Sequence, residues 1–398
     1  MEKQMPICFI FEVGEQTLER IYVDHAATSP MDPRVIERIT NTMQAAFGNP
    51  SSIHAFGREA RHLVDEARNT LAKAIGAEAN EIIFTSGGTE ADNYAILGVA
   101  EANQKNGRHI ITTQIEHHAV LHTCEQLEKK GYDITYLPVD EQGCVSVQAV
   151  ADALRDDTIL VTIMFGNNEV GTLQPIKEIG ELLKNHSAVF HTDAVQAFGL
   201  IDIDVKALNI DLLSVSAHKI NGPKGIGFLF AKKGVKLAPL IFGGEQERKR
   251  RAGTENVAAI TGFEEAVKIA IVEREQKANR YNHYKEIILS SLKKAEINFS
   301  PNGSLEKSLP HVLNLSFPGT DVEAMLVNLD LAGIAASSGS ACTAGSIEPS
   351  HVLVAMFGHE SDRIRNSIRF SFGLGNTEEQ IEKVAEATAK IVKRLTNR

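Results

Sequence analysis

The stretch Ser214-Val215-Ser216-Ala217-His218-Lys219-Ile220-Asn221-Gly222-Pro223-Lys224-Gly225 decides how this chain is read, with Lys219 near its centre. A mostly apolar run, residues 210–215, leads into it, and a second, residues 226–231, leaves it after Gly222 and Gly225. The pattern predicts strand, tight loop, strand. Lys219 is then offered from a constrained loop between two buried strands, beside His218 and the hydroxyls of Ser214 and Ser216. An ammonium placed there is partly desolvated, which lowers its pKa. An amine made available in this way suits a Schiff base with an aldehyde cofactor. An ordinary surface lysine near a turn is the alternative, and the rest of the chain decides between them.

Working outward, residues 82–94 read as a strand, the turn Ser86-Gly87-Gly88-Thr89, and a helix. Glycines let backbone amides approach an anion and the helix offers its positive N-terminus, so this is a candidate phosphate cradle; a glycine pair kept for steric reasons is the other reading. No Walker A lysine follows. Asp193 closes the run Val189-Phe190-His191-Thr192-Asp193, at the carboxyl end of a buried-looking strand, where open α/β sheets bind ligands. It precedes Lys219 by roughly one crossover unit, so neighbouring strands can bring the two to one crevice. A buried carboxylate there needs a cationic partner, such as a protonated pyridine nitrogen, unless it caps the following helix. His117 and His118 follow another strand end. Their adjacent spacing is not that of a helical zinc pair, and a flat ring stacked on a flat cofactor or a surface histidine are the two readings. Asn167-Asn168-Glu169-Val170-Gly171 makes a third strand end, either a polar turn or a source of amide donors for a phenolate oxygen.

Between residues 33 and 256 helical and strand-like segments alternate. Helices are expected at 59–75, 119–130 and 176–185, and strands at 82–85, 109–113, 133–137, 158–165 and 189–192. This is the βαβ rhythm of a mostly parallel, doubly wound sheet. A long helix is expected from 256 to 294, its charged part 273–285 a solvated connection between two domains. Strands at 311–317, 334–337 and 368–371 and a last helix beginning at Asn376 or Thr377 suggest a second α+β unit. In that helix Ile381, Val384, Ala385, Ile391, Val392 and Leu395 share one face with Thr388. Residues 1–20 are mixed in character and are expected not to belong to the fold, with the native chain starting near Leu18.

Size and composition bound the function. At 398 residues two domains are expected. A net charge of −10 argues against direct nucleic-acid or membrane-surface binding, and the dense basic run Arg248-Lys249-Arg250-Arg251 is expected to be a solvated loop. The four cysteines are irregularly spaced, fitting neither a disulfide framework nor a zinc site and implying a reducing cytoplasm. Cys124 lies among helical apolar positions and Cys144 in a turn. Cys342 differs: it sits in Ala335-Ala336-Ser337-Ser338-Gly339-Ser340-Ala341-Cys342-Thr343-Ala344-Gly345-Ser346, small residues that pack little core, so it is either a swinging nucleophile or a bystander. Arg369, between apolar neighbours on a strand, is expected to meet an acid, structural or a substrate carboxylate.

Taken in order, Asp24-His25-Ala26-Ala27-Thr28, Asn49-Pro50-Ser51-Ser52-Ile53-His54, Ser86-Gly87-Gly88-Thr89-Glu90, Glu116-His117, Asn167-Asn168-Glu169-Val170-Gly171, Asp193-Ala194-Val195-Gln196, Ser216-Ala217-His218-Lys219, Arg251-Ala252-Gly253-Thr254, the Cys342 segment and Ser367-Ile368-Arg369-Phe370-Ser371 resemble the pyridoxal-phosphate cysteine desulfurases of the NifS/IscS type. The resemblance spans nearly everything after residue 20; that leading segment and His118 are the departures. It implies an α/β, fold-type-I pyridoxal 5'-phosphate enzyme of the class V aminotransferase family. A large, mostly parallel seven-stranded-sheet domain is then expected at 31–275, a smaller α+β domain carrying the Cys342 loop at 276–398, and a segment joining the small domain at 21–30. A homodimer with active sites at the subunit boundary is implied too.

By the same carry-over Lys219 holds the cofactor aldehyde, His117 stacks on the ring and Asp193 pairs with the ring nitrogen. Gln196 and Asn168 bond the ring oxygen or orient substrate. Gly88, Thr89, Ser216 and His218 hold the phosphate, with Thr254 coming from the partner subunit. Arg369 clamps the carboxylate of L-cysteine, and Cys342 takes the sulfur as a persulfide for an acceptor protein, an iron-sulfur scaffold or a tRNA-thiolating enzyme. The rival readings are a selenocysteine lyase or another fold-type-I aminotransferase-like enzyme, and a non-catalytic sulfur carrier.

Overall fold

The computed structural model describes residues 19–339, 342–343, 346–347 and 349–396. The expected start near Leu18 and the side chain of Cys342 lie outside the described residues. Seven strands form the main sheet in the spatial order Ile82–Thr85, Gly227–Ala231, Leu212–Ser216, Val189–Asp193, Thr158–Thr162, His109–Thr113, Asp133–Leu137. Every pairing is parallel except the two made by Gly227–Ala231.

Successive residues of these strands enter opposite cores, as a pleated strand requires. Ile82, Phe84, Phe190, Leu213, Val215, Phe228 and Phe230 belong to one apolar cluster. Ile83, Ile110, Leu160, Leu212 and Leu229 belong to the other. Burial on both faces is the reason these segments read as continuous apolar runs. The helices Ala55–Lys73 and Ile176–Leu183 and the start of Val257–Lys294 cover the first face; Gly88–Ala102 and His118–Glu128 cover the second.

Several expected boundaries move for local reasons. The strand from Thr158 ends at Thr162: the amides of Ile163 and Phe165 still donate to the carbonyls of His191 and Asp193, at 3.1 and 2.8 Å, while that of Met164 turns to the Glu116 carboxyl at 3.0 Å. The helix expected from residue 59 starts at Ala55, where His54 Nδ1 accepts from the amide of Gly57 at 3.2 Å. Position 57 must be glycine, since a Cβ there would lie 2.2 Å from the carbonyl oxygen of Ser52. The strand at Ile334–Ala335 is shorter than expected because Ser337 turns to pair with Arg369, donating to its carbonyl at 3.2 Å.

A second core lies around the antiparallel strands Ser367–Ser371, Val312–Ser316 and Ser300–Asn302. Ile381, Val384 and Ala385 of the last helix, Glu378–Thr396, pack into it, and Thr388 satisfies its hydroxyl on the Val384 carbonyl at 2.7 Å. Ile21 and Val23 also belong to this core, and Ile21–Tyr22 pairs in parallel with Ile334–Ala335, whereas Ala26 belongs to the core of the main sheet. Residues 21–26 thus cross from one core to the other.

Two expectations are corrected. The charged part of the long helix Val257–Lys294 is not simply solvated: Lys277, Tyr281, Tyr284 and Lys285 are buried on one face. Lys277 meets Glu273 at 3.2 Å, and Lys285 Nζ donates to the Leu309 carbonyl at 2.6 Å. The run Arg248-Lys249-Arg250-Arg251 is not a freely solvated loop either. Arg251 pairs with Glu90 at 2.8 Å and Arg250 donates to the Glu247 carbonyl at 3.1 Å, leaving Arg248 and Lys249 exposed. Glu247 itself is buried and forms a two-pronged pair with Arg68, at 2.7 Å on each arm, while its Oε2 accepts the amide of Phe84 at 3.2 Å.

Removing the cation of that pair leaves a carboxylate uncompensated in the interior. Arg68→Leu is expected to cost about 3–5 kcal/mol of stability, measured as a fall in the midpoint of urea denaturation. An unchanged midpoint would mean that Glu247 finds solvent when Arg68 is gone.

Candidate active site

The parallel strands Val189–Asp193 and Leu212–Ser216 lie side by side with Asp193 opposite Ser214, so both end at one edge of the sheet. Lys219 follows within a single turn, Ala217–Lys219, before the chain returns as the antiparallel strand Gly227–Ala231. A cavity of about 390 Å³ opens at this edge; Gly88, Thr89, His117, Asn168, Asp193, Gln196, Ser216, His218, Lys219 and Arg369 all line it. The fold therefore gathers residues whose positions span most of the chain. Thr254 lies exposed and away from this cavity.

Lys219 Nζ donates to the backbone carbonyls of Ala26 at 2.5 Å and Ala27 at 2.7 Å. Burial outweighs these bonds, and the Arg369 guanidinium adds repulsion, so the amine is brought down to about 8. Asp193 is buried beside a second acid, Asp92, and burial raises both carboxyls. Two adjacent acids in the interior do not both ionise. Asp193 is the one that keeps its charge, because the amide of Val195 donates to its Oδ1 at 2.8 Å and the Lys219 cation faces it. Asp92 Oδ1 finds no hydrogen-bond partner. Glu116, also buried, is pushed up to about 8 by burial, against the bond its Oε1 accepts from Thr113 Oγ1 at 2.6 Å.

His117 caps the helix His118–Glu128, its Nδ1 accepting the amide of Ala119 at 3.1 Å. The ring proton is thereby placed on Nε2. Burial and the nearby Lys219 lower its pKa to about 4, so a neutral ring faces the cavity. His218 is brought to about 4 for the same reasons, with Nδ1 at 3.1 Å from Thr28 Oγ1.

At the other end of the cavity the helix Gly88–Ala102 starts without a side-chain cap, leaving its first amides free. A Cβ on Gly88 would stand 2.7 Å from Val195 Cγ2, so only glycine allows this approach. Asn167 is spent on the turn, its Oδ1 accepting from the amides of Glu169 and Val170 at 2.8 and 2.9 Å, while Asn168 reaches the cavity.

Arg369 does meet an acid. Its Nη2 donates to Asp24 Oδ1 at 2.8 Å and its Nη1 to the Asn168 carbonyl at 2.9 Å, and Nε is buried without a partner. Of the cysteines, Cys124 is wholly buried and its thiol is pushed up by burial, which makes it inert. Cys144 is half-buried, its amide donating to Asp140 Oδ1 at 2.9 Å. The backbone of Cys342–Thr343 pairs antiparallel with Ser346–Ile347.

Sequence reasoning overlooked Asp92, although it sits three residues after Thr89 and so on the same helix face. It overlooked His122, whose ring stacks on His118 at 4.8 Å one turn away on the helix, with His351 at 4.7 Å from His118. The acceptors for Lys219 are backbone carbonyls and had no side-chain signal.

The donors fit a phosphorylated aromatic aldehyde. Free helix amides with Thr89, Ser216 and His218 suit a phosphate, a buried carboxylate suits a protonated ring nitrogen, and a desolvated amine suits the aldehyde. The partnerless Asp92 Oδ1 and the space that a Cβ at Gly88 would close point the same way.

Comparisons with known proteins agree with this geometry. Residues 21–384 match the family described as Aminotransferase class-V. The Bacillus subtilis (strain 168) protein IscS 1 is 67% identical over 95% of this chain and 100% of its own. The cysteine desulfurase IscS of Methanosarcina thermophila is 50% identical over 95% of this chain and 93% of its own. A solved structure of a NifS-like protein superposes with a TM-score of 0.88 at 38% identity, covering 94% of this chain and 100% of that one.

The lowered Lys219 pKa has a stability consequence. Between about 8 in the folded state and the ordinary value near 10.4 the unfolded chain binds more protons, so stability from this position rises with pH across that window. Lys219→Met is expected to raise the melting temperature of the cofactor-free protein below about pH 8, and the gain should fade towards about pH 10. A gain independent of pH would show that the amine is well solvated.

Proposed function

We propose a role for each residue of the site from one premise: the chain belongs to the Aminotransferase class-V family and, within it, to the NifS/IscS-type cysteine desulfurases, and it is a pyridoxal-phosphate-dependent enzyme that releases sulfur from cysteine. The observation that carries the assignment of roles is that Lys219, Asp193 and Arg369 line one cavity at the carboxyl edge of the sheet. When bound, the cofactor supplies an aldehyde for the substrate amine and a ring that withdraws electrons from the substrate Cα. Lys219 would hold the aldehyde, His117 would stack on the ring, and Asp193 would hold the proton on the ring nitrogen. The amides at Gly88 and Thr89, with Ser216 and His218, would bind the phosphate. Gln196 would donate to the ring oxygen, and Asn168 would orient substrate.

Arg369 binds the carboxylate of L-cysteine in this reading, exchanging its bond to Asp24 for one to substrate. Lys219, its pKa lowered to about 8 by burial, is the group placed to take the Cα proton and return it. The Cys342 thiolate attacks the substrate sulfur. One S–S bond forms, the substrate C–S bond breaks, and with one proton delivered to the former Cβ the products are alanine and a Cys342 persulfide. An acceptor protein in the cytoplasm, an iron-sulfur scaffold or a tRNA-thiolating enzyme, then takes the sulfur.

The same reading divides the chain into 31–275, with the cofactor residues, and 276–398, with Arg369 and Cys342. It makes the enzyme a homodimer in which Thr254 serves the partner's site; the exposed side chains of Phe47, Ile53 and Phe242 support an apolar contact between copies.

Cys342→Ser is expected to lose sulfide release from L-cysteine while keeping the absorbance of the bound cofactor. Equal release of sulfide and alanine by wild type and variant would favour direct lyase chemistry of the selenocysteine lyase kind. Arg369→Leu is expected to raise KM for cysteine about 10- to 100-fold, the value of charge-assisted hydrogen bonds to a carboxylate. Steady-state kinetics over a range of cysteine concentrations checks it, and an unchanged KM would remove Arg369 from the substrate site.

A further inference from the structure

His311 stands just before the strand Val312–Ser316 and contributes no atom to the lining of the main cavity, yet its ring reaches a residue that does. His311 Nε2 lies 3.1 Å from Gln196 Oε1, and the amide Nε2 of Gln196 lies 2.9 Å from the Ala26 carbonyl oxygen. Both side chains are buried. The orientation of the amide follows from its neighbours. Turned the other way, Gln196 would set its own carbonyl against that of Ala26, two acceptors with no proton between them, so the nitrogen must face Ala26. Gln196 Oε1 then faces the histidine and needs a donor, which makes His311 the tautomer protonated at Nε2. Its Nδ1 has no partner, which a lone-pair nitrogen tolerates better than a buried N–H would.

The charge state of the histidine agrees. Burial, together with Lys285, His25, Lys219 and Arg369, brings His311 to about 3, with no carboxylate among the groups acting on it. It is a neutral, single donor throughout the working range. The Ala26 carbonyl that accepts from Gln196 accepts from Lys219 as well, so one run of hydrogen bonds leads from His311 through Gln196 and Ala26 to the reactive amine.

We propose that His311 is a positioning residue for the reaction: by donating from Nε2 to Gln196 Oε1 it locks the glutamine amide with its nitrogen on the cavity side, where an N–H is available to an anionic ring oxygen. The inference rests on the reading that Gln196 serves the cofactor's ring oxygen. Without the histidine donor the glutamine carbonyl is left unpaired in the interior, and the amide rotates to recover a partner.

The experiment compares holoenzymes of wild type, His311→Phe, His311→Leu, His311→Gln and Gln196→Leu, each reconstituted with pyridoxal phosphate and followed by visible absorbance against pH. A donor on the ring oxygen stabilises its deprotonated form, so losing the donor raises the midpoint of the titration. Gln196→Leu and the two apolar variants at 311 are expected to raise it by about one unit, the size of a hydrogen bond to a charged group. His311→Gln, whose amide Nε2 falls near the position of the histidine Nε2 and keeps an N–H donor there, is expected to stay near wild type. The apolar pair guards against a variant that does not fold, since phenylalanine keeps the ring volume and leucine avoids overpacking. A midpoint that moves in Gln196→Leu but not in either folded apolar variant overturns the role of His311 and leaves that of Gln196 standing. A midpoint that moves in none of them overturns the reading of Gln196 and the inference with it.

Discussion

Residues 189–193 and 212–216 run side by side in parallel with Asp193 opposite Ser214, and this register fixes where an acid and an amine meet. Slipping either strand by one residue would turn Asp193 into a core and the Lys219 turn away from it, because successive residues of a strand face opposite sides. The strands are buried on both faces, so a slip of the second would also place Ser214 where Leu213 or Val215 now packs. The core thereby enforces the chemistry. It also supplies the desolvation that brings Lys219 down to about 8 and raises the Asp193 carboxyl, against which local hydrogen bonds and the opposite charge work.

The second constraint is the crossing of residues 21–26 between the two cores. Ile21–Tyr22 is fixed by its pairing with Ile334–Ala335, Asp24 by Arg369, and Ala26 by Lys219 and Gln196. Three successive parts of one short segment therefore join the second core, the candidate carboxylate site and the reactive amine.

Much of this was legible in the chain. The strands Ile82–Thr85, His109–Thr113 and Asp133–Leu137 stand at the expected residues because apolar runs bounded by turn signals leave few alternatives. The convergence of Asp193 and Lys219 followed from placing both at strand ends. What was not legible depends on partners distant in sequence. The buried face of the long helix uses the stems of Lys277 and Lys285, which a charge count reads as solvated. Asp92 reads as an ordinary helix acid until Asp193 is set beside it. The basic run near residue 250 became structural because Glu90 takes Arg251 and the Ile82 carbonyl takes Arg250.

The loop around Glu247 has a meaning for sequence drift. Glu247, Arg248 and Lys249 all adopt left-handed backbone conformations, and the shape is held from within by Arg68 and the amide of Phe84. The outward side chains of Arg248 and Lys249 take no part in the bonds to Arg68 and Phe84; Lys249 pairs instead with the exposed Glu245, at 2.9 Å. The loop is thus a fixed frame with replaceable contents: its exposed charges can be exchanged or reversed over generations without moving the backbone, provided that no β-branched residue enters a left-handed position. A surface of constant form and variable charge is what a lineage needs to change the company it keeps while leaving its chemistry alone.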